Sequence, residues 1–285
     1  MSEKITLVID GGLESAAALE WTIARAVTKD VEVRLTTIVE SDSPQANPQK
    51  RAEAAQALGH AAALFAKSAA LSKIEMVMLR GRAIERLARE SEATDLIVIG
   101  SHQIGVVAAA FNASLALAII SRSSCPVVLI PGAWTSTMGP VVVGVDEPTS
   151  IAAQEFAALE AERLGRALVL VRAWQLPPMV TTELLGRGTV DTAIREANSE
   201  LLRDAASAIA RRHGSLSLRQ KLSYATPSRA LASGAETMEL VVVGSHHRHV
   251  FAEWMLGSVG HDLVTHLLWP VAIVPPVEGS AASAA

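Results

Sequence analysis

The sequence predicts an α/β fold: two tandem doubly wound domains, each a five-stranded parallel sheet with helices on both faces. Three observations lead there. First, the chain repeats itself. Residues 96–131 read LIVIGSHQ…SCPVVLIP and residues 240–275 read LVVVGSHH…LWPVAIVP, with an offset of 144 from Gly100 to Gly244 and again from Pro126 to Pro270. The start also returns, since TLVID ending at Asp10 reappears as VVVGVD ending at Asp146. Second, short β-branched runs alternate with Ala-rich stretches of helical period, the mark of βαβ units. Third, LIVIG and LVVVG are apolar at every position, as expected of strands covered on both faces. A repeat of about 140 residues is the size of one domain.

The elements follow in order. The first repeat reads as strand 5–9, helix 14–28, strand 31–39, helix 48–72, strand 75–79, helix 83–92, strand 96–100, helix 114–122 and strand 126–130. The second opens with a strand from 141. Helix 150–164, strand 167–173, helix 189–213, strand 217–223, helix 228–236, strand 240–244, helix 258–267 and strand 270–274 follow. Gly132–Pro140, where Gly, Ser, Thr and Pro end both periodicities, is the linker. The expected domains are 1–135 and 136–277, with a disordered tail at 278–285. The second repeat has eight more residues between its first and fourth strands, expected as a loop at 175–190. The fifth strands, PVVLIP and PVAIVP, begin and end in proline and suit a sheet edge. An apolar edge needs covering.

Composition bounds the function. Half of the 285 residues are apolar, enough for two cores. A net charge of −4 without a Lys/Arg block argues against a nucleic-acid surface. MSEKITLVID has no basic segment followed by an apolar run, so a secretory signal is not expected. Cys125 is the only cysteine and cannot form an intrachain disulfide. A soluble cytoplasmic protein is expected. Ile104–Ser121 is uncharged over 18 residues, but Asn112, Ser114 and Gly105 interrupt it. It reads as a buried loop and helix, not a membrane span.

Open parallel sheets bind ligands beyond the carboxyl ends of their strands, where strand order reverses. Asp10 and Asp146 end the first strands; Gly100-Ser101 and Gly244-Ser245 end the fourth. Each fourth strand runs into a loop and then a helix starting at Ser114 or Gly257-Ser258, whose free N–H groups suit a phosphate. A carboxylate on the first strand would accept from a ribose hydroxyl or an adenine amine. The competing reading of Asp10 and Asp146 is a turn or helix-cap residue.

These residues carry a resemblance. The chain resembles a tandem universal stress protein over essentially its whole length. ATP-binding members of that family carry G-x-x-G, nine residues, then G-[S/T] after the fourth strand. The second repeat has Gly244-Ser245-His246-His247, nine residues, then Gly257-Ser258-Val259. The first has Gly100-Ser101-His102-Gln103, nine residues, then Ala113-Ser114. The spacing is kept in both; the glycines are not. His247 replaces one glycine, and Gln103 and Ala113 replace two. Glycine in a phosphate loop permits positive φ and close backbone approach, so each loss obstructs. His247 and Arg248 would supply positive charge instead, whereas Glu147 beside Asp146 would repel an anion. The second repeat is the better candidate for ATP.

The resemblance implies a site built in the second repeat from Asp146, Ala173, Gly244, Ser245, His247, Arg248, Gly257, Ser258 and Val259. In the first repeat it implies Asp10, Val39, Gly100, Ser101 and Ser114. Adenine would meet backbone near Ile38-Val39 and Ala173. It also implies a G-x-P turn after the third strand, here Gly81-Arg82-Ala83 and Ala225-Thr226-Pro227. The implied ligand is ATP, with or without Mg²⁺. The implied partners are an adenine nucleotide and the chain itself, as an intrachain pseudo-dimer and a homodimer.

Other constellations rank lower. His246, His247 and His249, with His261 and His266 downstream, lack the cysteines or paired carboxylates that would complete a metal site. Ser258, His261 and Asp262 are helix neighbours without a nucleophile turn. No G-x-x-x-x-G-K-[ST] loop is present, so fast phosphoryl transfer is not expected. The five tryptophans read as core or interface; Trp254, between Gly244 and Gly257, would also cover a nucleotide. The expected function is an adenine-nucleotide-binding regulatory module of the stress response, not an enzyme. The alternative is a nucleotide-independent, chaperone-like dimeric scaffold.

Overall fold

The computed structural model describes residues 2–39, 48–69, 73–101, 116–146, 151–175, 187–245 and 268–276. It forms two compact units. The first carries β1 (Glu3–Val8), α1 (Leu13–Thr28), β2 (Val31–Val39), α2 (Pro48–Ser68), β3 (Lys73–Arg80), α3 (Ala83–Glu90), β4 (Leu96–Ser101) and β5 (Val127–Pro131). Residues 116–120 are also helical. The second carries β6 (Val141–Gly144), α4 (Ile151–Leu164), β7 (Leu168–Trp174), α5 (Arg187–Arg212), β8 (Leu218–Tyr224), α6 (Pro227–Ala232) and β9 (Leu240–Gly244). The last strand, β10 (Val271–Val274), groups with the first unit.

In the first unit the strands run β3-β2-β1-β4-β5-β10. The first five are mutually parallel, as the βαβ pattern requires. In the second they run β9-β6-β7-β8, all parallel. Strand order therefore reverses at β1 and at β6, each flanked by its second and fourth strands. The doubly wound parallel architecture is as expected. β10, from the end of the second repeat, pairs antiparallel with β5, Ala272 opposite Val128. Every residue of β5 is buried, so its free edge would leave backbone groups unpaired away from water. β10 satisfies that edge.

Register fixes which residues correspond. Ile5 pairs with Leu96 and Val33, and Val141 pairs with Leu240 and Leu168. Thr37 therefore corresponds to Arg172, Val39 to Trp174 and Arg80 to Tyr224.

Each unit has an anchor of its own. In the first, Arg25 is 1% exposed and forms a two-pronged pair with Glu3, at 2.6 and 2.8 Å. Its guanidinium lies 5.5 Å from the ring centre of buried Trp21, and Lys29 adds a 3.0 Å contact to Glu3. Burial works to raise the Glu3 pKa, but the two cations outweigh it and hold the carboxyl below its ordinary range. In the second unit, the linker residues Ser136–Met138 wrap one oxygen of buried Glu239. It accepts from the Thr137 N–H at 2.9 Å, the Met138 N–H at 3.1 Å and the Ser136 hydroxyl at 3.2 Å. The linker is thus tied down. Cys125 is buried, and desolvation pushes its thiol up to about 11.

Helix ends shift slightly. α2 stops at Ser68 rather than 72, and α6 at Ala232 rather than 236. α5 starts at Arg187, so the end of the expected 175–190 loop is its first turn. Residues 176–186 and the tail 278–285 lie outside the described residues. No described helix is long and apolar enough to cross a membrane.

Candidate site at the strand ends

The carboxyl ends of β1, β4, β6 and β9 carry the residues chosen from sequence. Asp10 stands exposed just past β1. Its Oδ1 accepts the Gly12 N–H at 2.8 Å, closing a turn through Gly11 at φ +86°. Gly12 then caps α1. This is the turn role that competed with the ligand role for Asp10. Val39 is buried, and its carbonyl accepts the Gly81 N–H at 3.3 Å. Gly81 has φ +112°, which explains the glycine in that turn. In the second repeat the same turn keeps the other half of its signature, with Pro227 opening α6 behind Thr226. Gly100 and Ser101 end β4 opposite Ile130 and Pro131 of β5.

In the second repeat the matching aspartate has an arginine beside it. Asp146 is exposed and ion-paired with Arg172 of β7. The same guanidinium donates to the Val145 carbonyl at 3.2 Å and to Asn198 Oδ1 at 2.7 Å. Asn198 is itself fixed, donating to the Ile194 carbonyl of α5 at 2.7 Å. A chain of hydrogen bonds thus runs from α5 to the carboxylate. Ala173 follows Arg172 and is half-buried opposite Ser223. Gly244 ends β9, and Ser245 beyond it is 6% exposed. Its Oγ has no hydrogen-bond partner among the described residues. Thr36 Oγ1, on β2 of the first repeat, shares that condition. A buried hydroxyl without a partner is costly, so a ligand or loop atom at Ser245 would be stabilised there.

Sequence reasoning missed Arg172 and Asn198. The signal was present: an arginine inside the apolar strand LVLVRAW, where the first repeat has Thr37. The Trp174–Tyr224 ring pair also escaped notice, because it needs the β7–β8 register. His247, Arg248, Gly257, Ser258, Val259 and Ser114 lie outside the described residues. So do His246, His249, His261, His266 and Trp254. Among the described residues, no cluster of His, Cys, Asp or Glu could hold a metal ion.

Comparison with known proteins agrees with this architecture. The model of the universal stress protein family matches twice, at residues 1–131 and 138–275. Universal stress protein Rv1996 of Mycobacterium tuberculosis is 29% identical, with 94% of each chain covered. Universal stress protein Rv2005c of the same organism is 25% identical over 94% of this chain and 96% of its own. Among solved structures, a universal stress protein from Archaeoglobus fulgidus superposes with a TM-score of 0.73. It is 17% identical, with 97% of both chains covered, a likeness of fold. Two family matches, end to end, cover nearly the whole sequence: the chain belongs to the universal stress protein family, as a tandem of two such domains.

Proposed function

We propose that the chain is an adenine-nucleotide-binding regulatory module of the stress response, with its better site in the second repeat. The observation that carries this reading is the buried Ser245 hydroxyl, without a partner among the described residues, at the carboxyl end of β9. Asp146 stands past the end of the neighbouring strand β6, paired with Arg172 of β7. Asp146 would accept from the ribose or the base, and Ser245 would bond a polar group of the nucleotide. From the sequence, His247, Arg248 and the Gly257-Ser258-Val259 run would meet the phosphates of ATP. Asp10, Val39, Gly100, Ser101 and Ser114 would form the weaker first site, since Asp10 is already committed to its turn.

The chain is read as a binder, not an enzyme. A lysine-bearing phosphate loop is missing from the sequence, so ATP hydrolysis would be slow. Self-association, between repeats and between chains, and a cytoplasmic location belong to the same proposal.

The test is direct. Freshly purified protein is denatured and the released small molecules are identified by mass spectrometry, followed by calorimetric titration with millimolar Mg-ATP. Adenine nucleotide near one or two equivalents per chain is expected. An empty protein that takes up no Mg-ATP would replace this reading with a nucleotide-independent scaffold.

A further inference from the structure

We propose that Trp174 and Tyr224 form a base-stacking wall at the second repeat's site, a feature the first repeat lacks. The proposal rests on the nucleotide reading above and names how the base is held. β7 and β8 end in register on these two residues, at the carboxyl edge of the sheet, with β7 next to β6, where strand order reverses. Their ring centres are 4.8 Å apart and their planes cross at 69°. Residues two apart on a strand share a face, so Arg172 and Trp174 project together, and Tyr224 joins them across the register. Arg172 bonds Asp146. The aromatic pair therefore stands one step outward from a fixed guanidinium–carboxylate pair.

That grouping matches the chemistry of a purine nucleoside. The ring system offers a face to stack, and its amine and the sugar hydroxyls offer donors to a carboxylate. Tyr224 is 62% exposed, so most of its surface is not used in packing. Arg172 acts as the positioning residue. Its bonds to the Val145 carbonyl and Asn198 leave the guanidinium little freedom, so Asp146 is held by a residue two places from Trp174 on the same strand face. At the corresponding places the first repeat has Thr37, Val39 and Arg80, which offer no aromatic face. The two repeats then differ in kind: the second stacks the base on rings, and the weaker first site has only backbone to offer it.

The experiment compares wild type, Tyr224→Ala and Tyr224→Phe by calorimetry on the full chain. The probes are Mg-ATP and, separately, inorganic tripolyphosphate, which has no base. Circular dichroism checks each fold. Tyr224→Ala is expected to weaken ATP binding about tenfold, from the usual loss of a base–aromatic stack, and to leave tripolyphosphate unchanged. Tyr224→Phe, which keeps the ring, is expected to bind ATP like wild type. Wild type and Tyr224→Ala binding ATP equally would overturn the wall while leaving the nucleotide reading intact. A parallel loss of ATP and tripolyphosphate, or a loss in Tyr224→Phe as large as in Tyr224→Ala, would also overturn it. A wild type that binds no ATP would overturn both proposals.

Discussion

The first repeat places Asp10 at the end of its first strand and folds it back onto the Gly12 N–H, shaping the entry to α1. The second places Asp146 at the same point and gives it to Arg172, which Asn198 ties to α5. Topology and strand register are shared; the arginine beside the carboxylate is not, since Thr37 stands where the second repeat has Arg172. Position in a fold thus decides where a side chain can act, and its neighbours decide what it does. Here one difference in the adjacent strand, Arg172 in the place of Thr37, gives the second carboxylate a cationic partner that the first does not have there.

The largest expected effect breaks the comparison on the side of the first repeat. Arg25→Met leaves the largely covered Glu3, 11% exposed, with its main counter-charge gone. The first unit should lose about 3–5 kcal/mol, as buried pairs do when one partner is removed. Urea denaturation measures this; a loss below about 1 kcal/mol would class the pair with exposed ones. The same pair gives a pH dependence. Because the Glu3 pKa is lowered on folding, its contribution is complete above the ordinary value of 4.5. It is lost as pH falls through the lower folded value. Acid titration of wild type against Arg25→Met should show the two stabilities converging below pH 4.5.

In the place of Glu3 the second repeat has Gly139, two residues before Val141. A Cβ there would stand 2.6 Å from the Thr237 carbonyl oxygen, so backbone must move. Gly139→Ala should cost the second unit about 1–3 kcal/mol, the range for overpacking. A neutral result in thermal unfolding would mean that the linker shifts freely despite its bonds to Glu239.

Arg172→Thr makes the second repeat like the first. Loss of one charged hydrogen-bonding group should weaken ATP binding about tenfold, with a small effect on folding. Unchanged affinity in calorimetry would show that Asp146 needs no positioning. Ser245→Ala sharpens the comparison most finely, because its two effects have opposite signs. Removing a buried hydroxyl without a partner should raise the stability of the nucleotide-free protein by up to about 1 kcal/mol. It should at the same time lower ATP affinity. A destabilised nucleotide-free variant would mean that Ser245 is bonded within the protein.

Much of the fold was legible. Apolar runs such as LVVVG, repeated at a fixed offset, give buried parallel strands because nothing polar could sit on either face. What the pattern could not give was the partner of the last strand. PVAIVP by itself does not say that β5 lies beside it, since strand pairing is non-local. The site was legible at strand ends, where position follows from topology. It was not legible sideways across strands. Arg172 to Asp146 and Trp174 to Tyr224 are neighbours only through register, and a single sequence does not print register. The helix boundaries missed at 72 and 236 have simpler causes: the alanine-rich run at 69–72 has no glycine or proline to end it, whereas at 236 the stop at Ser233-Gly234 was passed over.

The placing of β10 has a consequence for how the protein is made. The first sheet receives its last strand from residues 271–274, although β5 is complete at Pro131. During synthesis the ribosome must add roughly 140 further residues while that buried-type edge waits, on the order of ten seconds at usual elongation rates. A nascent chain arrested after β9 therefore exposes a strand edge that the finished molecule never shows, and holdase chaperones would find their substrate there.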